Sequence, residues 1–142
     1  MKIKYIILSV FALFIFFQVP LLHSQTLGDI KIVTVTGKVS HDKIKAGTTI
    51  EVIVTGEIEP EYHINSNKPS EEYLIPTVVK FEPFANGEFG EIIYPQAKMA
   101  KFSFSDQPIA VYEEKVVVRT RLTLDKNISP GKKMIKGTLS FQ

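Results

Sequence analysis

Over residues 116–124, Val116, Val118, Thr120, Leu122 and Leu124 alternate with Val117, Arg119, Arg121 and Thr123. Successive side chains of an extended chain point to opposite faces, so this spacing gives one wet face and one dry face and does not fit a helix. The chain must therefore build a sheet with a buried side. Residues 30–40 and 48–58 are rich in Val, Ile and Thr, with Gly47-Thr48 marking a turn between them; both read as strands. Residues 77–84 and 101–104 are shorter candidates of the same type. Residues 132–142 follow a turn at Asn127, Pro130 and Gly131 and carry Ile135, Leu139 and Phe141 on one face. This last segment is expected to pair with the preceding strand as a hairpin. About seven short strands with regular turn signals predict an all-β, immunoglobulin-like antiparallel β-sandwich, with a small β-barrel as the competitor. Pro60, Pro69, Pro76, Pro83, Pro95, Pro108 and Pro130 fall between or at the ends of these runs, where a missing N–H does least harm.

The first 24 residues have a different character. Lys2 and Lys4 precede an almost unbroken apolar run over residues 6–17, and His23, Ser24 and Gln25 come after it. That is the layout of a secretory signal peptide. The run is shorter than the roughly 20 residues of a membrane span, so the membrane is met only through this segment if it stays uncleaved. Residues 25–142 then form one domain, because a chain of 142 residues is close to the usual size of one.

Charge and cysteine content narrow the function. The chain has 17 Lys+Arg and 15 Asp+Glu; two of the lysines lie in the leader, so the remaining chain is balanced at 15 against 15. Without a basic excess there is no electrostatic footprint for nucleic acid. There is no cysteine, which removes lipoprotein anchoring and disulfides, and leaves the exported domain to be held by its core alone.

Catalytic signatures are absent. His41 and His63 have no second ligand at metal spacing, and Ser66, Ser70, Ser103 and Ser105 sit in no Gly-x-Ser-x-Gly elbow. The carboxylate pairs Glu59/Glu61, Glu71/Glu72 and Glu113/Glu114 read as solvated charges, since nothing places two of them across a cleft as glycoside hydrolysis requires. Asn127-Ile128-Ser129 is a bare glycosylation match. No catalytic residue, metal or cofactor is expected.

The informative stretch is 61–77, EYHINSNKPSEEYLIPT, with Tyr62, His63, Asn65, Asn67 and Tyr73 between strands. Polar aromatic side chains on a loop carried by a rigid scaffold build binding surfaces. The bland alternative is that Tyr62 and Tyr73 close the end of the core while the asparagines satisfy turns.

Three segments in order, YHINSNKPSEEYLIPT, VYEEKVVVRTRLTL and GKKMIKGTLSFQ, resemble the N-terminal domain of the DsbD family of thiol:disulfide interchange proteins. The resemblance spans nearly all of residues 26–142. It implies an immunoglobulin-like domain in the periplasm, meeting extracytoplasmic thiol-disulfide partner proteins or a membrane-embedded redox domain. In that family a last strand ending in an aromatic residue and Gln leads into a cysteine pair that a nearby loop caps. Phe141-Gln142 matches this approach, and Tyr112-Glu113 stands roughly where the cap loop is expected. Tyr112 and Glu113 are thus cap-loop candidates, with Tyr62, His63 and Asn65 in the neighbouring segment.

Thiol-disulfide exchange needs a thiolate, and this sequence has none. It is either part of a longer reading frame, the reading that an end in mid-strand favours, or a cysteine-free relative that keeps the scaffold. From outside the redox class, the alternative is a binding module in the periplasm or on the cell surface that holds a protein or a glycan.

Overall fold

The computed structural model describes residues 31–142, so the signal-peptide reading of residues 1–24 lies outside the described residues. Among those residues are nine strands and no helix, and hence none long and apolar enough to cross a membrane.

Four strands make the largest sheet. β1 (Val33–Val39) pairs with β2 (Thr49–Ile58), β2 with β8 (Lys115–Leu124), and β8 with β5 (Gly87–Phe89), all antiparallel. A second sheet takes the order β3 (His63–Asn65), β7 (Ile109–Glu113), β6 (Lys98–Ala100). A third ladder joins β4 (Val78–Phe81) to β9 (Gly137–Ser140). The described residues are all-β and antiparallel, and their ladders do not close into a barrel.

The alternation in β8 does what its spacing dictates. Val116, Val118, Thr120, Leu122 and Leu124 are buried, while Arg119, Arg121 and Thr123 are exposed. One core cluster draws Val33, Ile58, Val116 and Val118 from the large sheet, Ile64 and Tyr112 from the second, and Val79 from the third. The dry faces of the three sheets therefore meet, in the layered manner of a β-sandwich. A second cluster, Ile50, Val52, Leu122 and Leu124, packs against Phe81, Phe84 and Phe89. Phe81 and Phe89 stack there with centroids 4.4 Å apart. No side-chain N or O atom is buried without a partner among the described residues.

Two expectations are corrected. The final segment does not form a hairpin with β8. Both edges of β8 are already occupied, by β2 and β5, and the connection over residues 125–136 is far longer than the two to five residues of a hairpin turn. It carries the chain across to β4, where Leu139 stands opposite Val79. Residues 101–104 are not a strand either. The strand is the preceding Lys98–Ala100, and a turn comes next in which Ser105 N–H donates to Phe102 O at 3.2 Å.

Candidate functional site

Short as it is, β3 organises this region. Its register with β7 sets His63 opposite Glu113, Ile64 opposite Tyr112 and Asn65 opposite Val111. Residues that are about 50 positions apart in sequence thus meet, and Tyr62, His63, Asn65, Tyr112 and Glu113 all fall on one pair of strands or its immediate end. They do not share a face, because a strand alternates its side chains.

Tyr112 points inward. It is buried in the main core cluster, and its hydroxyl donates to Asn67 Oδ1 at 2.6 Å while Asn67 N–H reaches back at 3.4 Å. Burial pushes its pKa above 10.0, against an opposing hydrogen bond from Asn67. Tyr112 and Glu113 therefore stand in strand β7, and Tyr112 fastens the 66–76 connection from beneath.

His63 and Glu113 occupy the opposite, outer face. The His63 ring stacks on Phe102 with centroids 4.2 Å apart and planes 25° from parallel. Phe102 stacks in turn on Phe104 at 5.2 Å, and Phe104 is 72% exposed. Glu113 pairs with Lys98 at 2.5 Å; the hydrogen bond and charge of Glu113 raise the Lys98 pKa above 10.5. Tyr62 and Met99 are exposed around this ladder. Sequence reasoning missed Phe102 and Phe104. The alternation in Phe102-Ser103-Phe104 imitates a strand, and only the exposed turn at 102–105 shows that both rings are free to stack outward.

Below the ladder lies an open groove of about 620 Å³ lined by Ile58, Glu59, Pro60, Glu61, Tyr62, His63, Phe102, Glu113 and Glu114. Glu61 and Glu114 both have left-handed backbones, at φ 69° and 59°. This conformation is uncommon for residues with a side chain. Glu114 is the single residue between β7 and β8, where the chain passes from the second sheet to the first; its carbonyl is held by Ile58 N–H at 2.8 Å. The rim carries four carboxylates, of which Glu113 alone has a cationic partner among the described residues. No group of His, Asp or Glu residues there is placed to hold a metal ion.

Asn65 faces the end of the chain. Its main-chain N–H donates to Gln142 O at 2.9 Å, and its Nδ2 donates to Gln142 Oε1 at 3.3 Å and to Ile75 O at 3.1 Å. Ile75 N–H donates to the same Gln142 Oε1 at 3.0 Å. Buried Thr77 closes the arrangement by donating its hydroxyl to Asn65 O at 2.5 Å. The segment after β9 is thereby fixed beside β3, one residue removed from the Ile64 that anchors β3 in the core.

Stacked rings, an exposed methionine and a rim of carboxylates thus lie together around the β3–β7 ladder. No protein family, curated protein or solved structure matches the chain.

Proposed function

We propose that the protein is an exported, immunoglobulin-like docking domain of a thiol:disulfide interchange system, contributing the partner-binding surface and not the redox cysteines. The observation that carries this reading is the attachment of Gln142 to Asn65. It brings the Phe141-Gln142 end, where the resembled family leads into its cysteine pair, to the strand that also bears His63, whose ring stacks on Phe102. The loop at 101–108 fits the expected cap better than Tyr112-Glu113, because Tyr112 is committed to the core whereas Phe104 is open to solvent. Partners are extracytoplasmic thiol-disulfide proteins or a membrane-embedded redox domain, and the periplasm is the compartment.

Reading the coding DNA beyond the Gln142 codon tests the proposal. An open frame that encodes a small residue and then two cysteines within several codons is the expected result. A stop codon there overturns the redox assignment and leaves a binding module for a protein or a glycan that uses the same aromatic face.

A further inference from the structure

The edge of the large sheet formed by β1 is a self-complementary surface, and we propose that through it the protein pairs with a second copy of itself. Three observations carry this. The first is the free backbone. Glu59 N–H donates to Ile32 O at 2.9 Å and Ser40 N–H to Glu51 O at 3.0 Å, which fixes the alternation of the antiparallel β1–β2 ladder. Even-numbered residues bond to β2, so Val33, Val35, Gly37 and Val39 turn their N–H and C=O groups outward. Among the described residues, no strand takes them.

The second is length and composition. β1 runs for seven residues, VTVTGKV, while β5 and β6, at the edges of their own sheets, have three each. A long β-branched edge is the kind that recruits another strand. Its inner-facing Val35 and Val39 are 46% and 37% exposed, at the mouth of an apolar groove of about 460 Å³ floored by Val54, Val79 and Leu139. A second strand alongside would shield both valines.

The third is register. Antiparallel pairing about Thr36 sets Val33 against the second copy's Val39 and Val35 against its Gly37, where an added side chain would meet nothing within 4 Å. All four outward residues then pair with outward residues, making about eight main-chain hydrogen bonds. Lys38, the strand's one charge, falls opposite Thr34 and not opposite itself. With 17 basic and 15 acidic residues in the sequence, net repulsion between copies is small.

The cysteine-free sequence makes the test clean. Thr36 is exposed and sits on the two-fold axis as a non-hydrogen-bonded pair, with Cα atoms about 4.5 Å apart, inside disulfide range. Purified T36C protein is expected to form a covalent dimer under mild oxidation, whereas K38C, held off the axis, stays largely monomeric. In sedimentation velocity the unmodified protein should shift toward dimer with concentration. V35P should stay monomeric, since it removes an outward N–H that the β1–β2 ladder does not use, and its circular dichroism should be unchanged. Monomer at every concentration up to about 1 mM, or equal cross-linking of T36C and K38C, overturns the proposal. Dimerisation retained in a folded V35P protein overturns it as well.

Discussion

At the residue scale, Tyr112 shows how one side chain serves both core and connection. Its ring fills the cluster between the sheets and its hydroxyl holds Asn67. Tyr112→Phe keeps the ring and leaves a half-buried amide short of a partner, so it should cost about 1 kcal/mol, read from urea denaturation. The elevated pKa has a definite sign. Below pH 10.0 the phenol is neutral in both the folded and the unfolded chain; above it the unfolded chain ionises first, and stability falls as pH rises through the folded value. Unmodified protein should therefore lose stability more steeply than Tyr112→Phe as the pH rises above 10.0; parallel pH curves would show that burial does not control this group. Asn65 acts differently, through three hydrogen bonds that hold Gln142 and Ile75. If Asn65 and Gln142 work as one unit, Asn65→Ala and Gln142→Ala are not additive: a double-mutant cycle should give a coupling of about 0.5–1.5 kcal/mol. A coupling near zero would mean that β9 alone holds the chain's end in place.

Elements differ in how far their sequence determines them. β8 was legible over residues 116–124, because nine residues of alternation leave one solution, and β1, β2 and β4 fell inside the segments their Val, Ile and Thr content marked. β3, β5 and β6 have three residues each, too few to show a period. Their existence depends on neighbours already in place, β7 for β3 and β6 and β8 for β5. The partner of β9 was illegible for a related reason: pairing depends on which sheet edges are left free, and that is a property of the assembled sheet. β5 shows how tightly such a neighbour constrains a short strand. A Cβ on Gly87 would collide with Thr123 O, and Leu124 Cα lies only 3.2 Å from the same position. The obstacle is β8 backbone, which does not move as a flexible side chain would, so Gly87→Ala should detach β5 and cost about 1–3 kcal/mol. Hydrogen exchange would then quicken at Gly90, whose N–H donates to Arg121 O, but not at Val54 or Val118 in the centre of the sheet.

Across the whole molecule, the second sheet is what carries the proposed docking face. The sequence picked out Tyr62, His63, Asn65, Tyr112 and Glu113, and the β3–β7 register joined them. It could not separate inward from outward members, because alternation decides that only once the strand and its register are known. Tyr112 faces the core with Ile64, whereas Asn65 shares the His63 face of β3 and is buried there by its bonds to Gln142 and Ile75; His63 and Glu113 lie beside Phe102 and Phe104, whose position depends on a turn and not on a pattern. If this face is where a partner docks, its contribution is separable from stability, since Phe104 is 72% exposed and lies outside both core clusters. The probe is a purified periplasmic thioredoxin-fold protein, titrated into the isotopically labelled domain. Resonances of Tyr62, His63, Phe102, Phe104 and Glu113 should move together. Phe104→Ala should weaken binding about tenfold or more, as loss of an aromatic anchor does, without lowering the melting temperature. Ile93→Ala removes another exposed apolar side chain, 58% accessible, from a residue bridged to β8 in the large sheet, and should leave the affinity unchanged. Equal losses in the two variants would assign the binding to general surface hydrophobicity, and shifts centred on β1 would place the partner on the edge of the large sheet.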